Sequence, residues 1–98
     1  MLVDRATFCA RLRAARESKG MPLGQIAAST KISISLLRGL EAADLSRSPK
    51  GLFRRSYVRD YLKAVGLPVE PTIAEFLHLF PDADDQPIMR IMPITGHD

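Results

Sequence analysis

Lys31, Arg47, Lys50, Arg54 and Arg55 fall in two short stretches of the chain, and the chemistry such residues offer is electrostatic. Each lysine or arginine that neutralises a phosphate releases about one counterion, so binding through them weakens steeply with salt. Several such contacts hold a polyphosphate backbone without reading any base. The same charges can equally meet an acidic protein surface.

Other chemistry is thinly represented. His78 and His97 stand far apart, with only Cys9 to help, so no metal site and no cofactor is expected. No glycine-rich phosphate loop appears. Cys9 follows Phe8 and reads as a small packing residue rather than a nucleophile. An enzyme is therefore not expected.

The charge is uneven. Residues 1–66 hold 13 Lys/Arg against 5 Asp/Glu, and residues 67–98 hold 1 against 6, within a net charge of +3. A basic body favours a polyanionic partner. No apolar run approaches the ~20 residues of a membrane helix, and a charge interrupts the first five residues where a signal peptide would be apolar. No membrane insertion and a cytoplasmic location are expected, and the single cysteine fits a reducing compartment.

The elements that must position these charges read as helices throughout. Asp4 is a preferred cap for a helix over about 5–19, with Phe8, Leu12 and Ala15 on its inner stripe and Gly20 at its left-handed end. Pro22 opens a short second helix over 23–29. Residues 30–33 form a turn, and Ser33 caps a third helix over 34–43, with Leu37 and Leu40 facing inward. Serines, a proline and a glycine make 44–51 a loop. Residues 52–65 are the most periodic stretch and Gly66 ends it. Two prolines predict an extended connector over 67–71, and a last helix over 72–80 stops at Pro81. The fold expected is all-α: a compact five-helix domain over 1–80, followed by an acidic and then apolar tail over 81–98. The run Ile88 to Ile94 is too apolar for an ordinary solvated tail. It can pack on the body, join two copies as a homodimer or dock on a partner.

The second and third helices with their tight turn make a helix-turn-helix. Ala27 lets the helices approach, while Ile32, Leu37 and Leu40 bury one face and leave the other free for a groove. The stretch Leu12-Arg13, Ala15-Arg16-Glu17, Gly20, Ile26-Ala27, Thr30-Lys31-Ile32-Ser33, Leu37, Leu40-Glu41, Asp44, Phe53-x-Arg55-x-Tyr57-x-Arg59-x-Tyr61 and Gly66-Leu67 resembles the N-terminal helix-turn-helix domain of the bacterial RodZ family. That family lies within the wider Xre/Cro-like, phage-repressor class. The wider class implies a transcription regulator that binds double-stranded DNA, usually as a dimer. The RodZ-like resemblance implies instead an adaptor for a cytoskeletal or other protein partner. Its anchors here would be Phe53, Tyr57, Arg59 and Tyr61, of which at least one tyrosine edge should be exposed. The resemblance also implies a structural salt bridge between Arg16 and Glu41.

By analogy with such folds, the side chains at base edges would come from Ser33, Ile34, Ser35 and Arg38, with Gly39 beside them. Of these, Arg38 alone can make the two-pronged contact that reads a guanine. Ile34 can touch a thymine methyl, and the serines specify little. Leu23 departs from the glutamine that DNA-binding members often carry there to hold a phosphate. Lys31, Arg47, Lys50, Arg54 and Arg55 would form the phosphate-binding rim.

Overall fold

The computed structural model describes residues 3–81. They form five helices: α1 (Arg5–Ser18), α2 (Leu23–Thr30), α3 (Ile34–Glu41), α4 (Leu52–Val65) and α5 (Val69–Leu79). Asp4 caps α1 as its residue type dictates, accepting the Thr7 amide at 2.7 Å. Gly20 follows with φ +66°, a conformation that costs a side-chain-bearing residue about 1–2 kcal/mol.

One apolar core joins all five helices. Phe8 and Leu12 of α1, Ile26 of α2, Leu37 and Leu40 of α3 and Leu62 of α4 are fully enclosed, and Phe76 of α5 closes it from below. Each such side chain contributes about 1.5–3 kcal/mol on burial. Arg11 pairs with Glu75 at 2.5 Å, and the Arg5 guanidinium donates to the Leu79 carbonyl oxygen at 2.7 Å while lying over the Phe80 ring. These contacts fasten α1 to α5.

Two boundaries differ from the sequence reading by more than one residue. α5 begins at Val69 rather than 72, so Pro71 lies inside its first turn. First-turn amides have no intrahelical acceptor, and a proline there sacrifices no hydrogen bond. α3 ends at Glu41, two residues early. Ala43 turns left-handed at φ +59°, Asp44 N–H donates to the Gly39 carbonyl at 2.8 Å, and Ala43 N–H donates to that of Leu40 at 3.3 Å. This is a Schellman closure, built on alanine where the sequence offers no glycine to announce it. It also explains Gly39: a Cβ there would sit 2.5 Å from the Asp44 carbonyl oxygen.

Cys9 lies in the core at 1% exposure, and burial pushes its thiol up to about 11. At neutral pH it is protonated and enclosed, so it should stay silent to Ellman's reagent in the native protein and react stoichiometrically in urea. Rapid native labelling would contradict this placement.

Candidate nucleic-acid interface

α3 has one face in the core and the other at the surface. Leu37 and Leu40 are enclosed, whereas Ser33, Ser35 and Arg38 are exposed on the opposite side. The helix is thus held by its leucines and stands clear along its other face. The Ser33 hydroxyl accepts the Ser35 amide at 3.2 Å, so it serves first as a cap. Ile34 is half-buried, leaning toward Gly24 on α2.

Arg38 stands between two shallow grooves. One, of about 300 Å³, is lined by Ser35, Gly39, Ala42, Asp44 and Arg47. The other, about 240 Å³, runs past Leu23, Arg13 and Glu41. Arg38 and Arg47 therefore share a groove, although a helix and a loop carry them. Asp44 beside them counts in the family resemblance, but the sequence assigned it no site role. Hydrogen bonds from the Ser46 hydroxyl and amide, at 2.6 and 3.1 Å, hold its carboxyl below the usual range. The Asp-x-Ser spacing is the available signal for such a turn.

Lys31 occupies the left-handed position in the turn between α2 and α3, at φ +64°, and is exposed. Lys50 is exposed before α4, while Arg55 is half-buried in its first turn. Among the described residues no carboxylate lies within salt-bridge distance of Lys31, Arg38, Arg47 or Lys50.

Arg54 departs from the expected phosphate rim. It is 8% exposed, and its guanidinium donates to the Ser48 hydroxyl at 3.1 Å, to Pro49 O at 3.0 Å and to Leu45 O at 3.3 Å. Tyr57 OH meets the same Ser48 hydroxyl at 2.6 Å. Together they fix the 44–51 loop that carries Arg47 and Lys50, so Arg54 positions the cations without being offered itself.

The expected protein-binding set is also corrected. Tyr57 and Tyr61 are 2% and 0% exposed, and neither presents an edge. Burial and the Ser48 contact hold Tyr57, and Tyr61 belongs to an internal network. Arg59 is paired with Glu70, which ties α4 to α5. Phe53 alone of the four is broadly exposed, together with Leu52, which the sequence reading did not single out.

Arg16 of α1 meets Glu41, the last residue of α3. Arg16 Nε and Nη2 donate to the two carboxylate oxygens of Glu41 at 2.6 and 2.9 Å, and Nη1 donates to Met21 O at 2.9 Å. Tyr61 OH donates to Glu41 Oε2 at 2.6 Å, with the Leu12 carbonyl oxygen 3.1 Å away. Burial alone would raise the Glu41 carboxyl. The hydrogen bonds from Arg16 and Tyr61 outweigh it and bring the carboxyl below its ordinary value. The same burial, with the Glu41 carboxylate beside it, drives the Tyr61 hydroxyl far upward. The network ties α1, α3 and α4 together.

Among the described residues, no group of three or more metal-capable side chains gathers, and no helix is long and apolar enough to cross a membrane. The apolar run 88–94, assigned above to packing, pairing or docking, lies outside the described residues. A family model described as a helix-turn-helix domain matches residues 11–72. No curated protein and no solved structure matches the chain.

Proposed function

The chain belongs to that helix-turn-helix domain family, and from this premise we propose that it is a small DNA-binding regulator of the Xre-like type. In this reading α3 lies in the major groove, Arg38 reads a base edge, and Lys31, Arg47 and Lys50 hold phosphates on either side. It works in the cytoplasm, without a cofactor, and pairs two copies on a two-fold site.

One observation carries the reading. The arginines on the other faces are used within the fold: Arg5, Arg11, Arg16 and Arg59 join helices, and Arg54 braces a loop. The exposed cations Lys31, Arg38, Arg47 and Lys50 make no salt bridge among the described residues, and Arg38 and Arg47 share a groove with the exposed Ser35 of α3. An internal brace needs a partner in the fold, whereas a phosphate-binding cation must keep its charge available. The RodZ-like adaptor reading keeps Phe53 and Leu52 as a small exposed anchor, but loses both tyrosines.

The test is binding to double-stranded DNA fragments by fluorescence anisotropy between 50 and 200 mM salt. Three phosphate contacts in each copy contribute a slope of log K on log salt near −2.7 per copy, so affinity should fall about 40-fold per bound copy over that range. No binding at 50 mM salt, or binding indifferent to salt, would reject the proposal.

A further inference from the structure

A groove of about 350 Å³ opens beside the helix-turn-helix turn, walled by Ile32, Ser33, Leu36, Phe53 and Tyr57, with Lys31 and Asp60 at its rim. Phe53 is 56% exposed along it and Leu52, one residue back, is 74% exposed. An aromatic left so open beside an apolar groove is an anchor point for a partner. We infer that its occupant is the chain's own segment 88–94.

Three observations select that segment. The first is where the described chain ends. Pro81 lines a cleft with Leu45, Ser46 and Arg54, and Arg54 is the immediate neighbour of Phe53 in the first turn of α4. The exit point and the groove are therefore two sides of one helical turn. Residues 82–87 can span up to about 20 Å, ample to pass from one side to the other.

The second is charge order. Asp82, Asp84 and Asp85 come first after the exit, and the loop beside that cleft carries Arg47 and Lys50, which make no salt bridge among the described residues, although Asp44 shares a groove with Arg47. Next comes Ile88-Met89-Arg90-Ile91-Met92, apolar except for Arg90, the single Lys or Arg after Lys63. At the groove Asp60 is likewise without a salt bridge among the described residues. Acid follows base, apolar follows apolar, and the lone arginine arrives at a lone carboxylate.

The third is side-chain type. Methionine adapts to irregular apolar grooves, and isoleucine adds apolar area to bury. The docked segment covers Lys31 and Ser33, and on the DNA-binding reading, on which this consequence rests, it competes with DNA for part of the same face.

Paramagnetic relaxation tests the contact in the full chain. Cys9 is enclosed, so a nitroxide on Met92→Cys labels one site. The contact predicts selective broadening of Ile32, Ser33, Phe53 and Ser56 amide signals within the labelled molecule, lost on adding Ile88→Glu and Ile91→Glu. The same broadening arising between labelled and isotope-marked copies in a mixture assigns the groove to a second copy and overturns the inference. So does no broadening, or broadening confined to other surfaces. Separately, the Ile88→Glu, Ile91→Glu chain should bind DNA several-fold more tightly than wild type. Detectable DNA binding that does not change in that variant overturns the competition, whereas an absence of DNA binding in both chains overturns the regulator reading and leaves the groove contact standing.

Discussion

Glu41→Ala lowers unfolding stability at pH 7 by about 3–5 kcal/mol, the usual cost of removing one partner from a buried ion pair. The Arg16 and Glu41 side chains are 12% and 8% exposed. Removing the carboxylate leaves the guanidinium enclosed with the Met21 carbonyl as its remaining protein acceptor and leaves Tyr61 OH with the Leu12 carbonyl oxygen. A small domain has about 5–15 kcal/mol in all, so the loss is a large share. Urea unfolding followed by circular dichroism measures it. A variant within 1 kcal/mol of wild type would refute the role.

The pH dependence follows in sign. The folded-state pKa of Glu41 is depressed, so its contribution is present above the unfolded value of about 4.3 and is lost as pH falls through the lower folded value. Wild-type stability should drop in that acid window, and the difference between wild type and Glu41→Ala should shrink there. Asp4 and Asp44 are depressed too, by their hydrogen bonds to Thr7 and Ser46, but they titrate in both proteins and cancel in the difference. Should Glu41→Ala fail to fold, Tyr61→Phe keeps the ion pair and removes one hydrogen bond to a charged group, worth about 1.5–3 kcal/mol. A constant difference across the acid range would show that Glu41 is not the titrating group.

The helices were legible because their caps and stripes are local. Asp4, Ser33 and Gly66 mark ends by their own chemistry, and Leu37 with Leu40 shows which side of α3 faces inward. Arg54 shows where local reading fails. Taken as a cation among cations, it joined the phosphate rim. Yet Arg54, Val58, Tyr61, Leu62 and Val65 recur at helical spacing, and that register puts the guanidinium on the buried side. The signal was present, but residue type outweighed periodicity. Tyr57 and Tyr61 share that stripe, and their hydroxyls find partners inside the fold, in Ser48 and Glu41, that no spacing rule announces. Asp44 at the Arg38 groove depends on a left-handed alanine, and alanine carries no such signal.

Neutralising Lys31, Arg47 and Lys50 together separates binding from folding, and the expected loss is the largest on the functional side. Lys31→Gly is the informative choice in the turn. The left-handed backbone strains lysine by about 1–2 kcal/mol, and glycine returns about 0.5–1 kcal/mol of that as extra entropy in the unfolded chain. Stability should therefore hold or rise slightly while the charge disappears. Arg47→Gln and Lys50→Gln remove exposed charges that make no ion pair among the described residues. Three lost phosphate contacts remove a salt slope of about −2.7 per copy, which at 50 mM salt amounts to about three and a half decades of affinity. Arg38→Ala should behave differently. It costs about 1–3 kcal/mol at one base pair and relaxes preference there, with the salt slope little changed. The two patterns discriminate because one set of side chains would meet phosphates and the other a base edge. If the triple variant keeps wild-type affinity and slope with its fold intact, the cations beside α3 are not the phosphate contacts. If Arg38→Ala lowers the slope as each phosphate cation does, without altering sequence preference, Arg38 belongs with the rim and α3 reads no base through it.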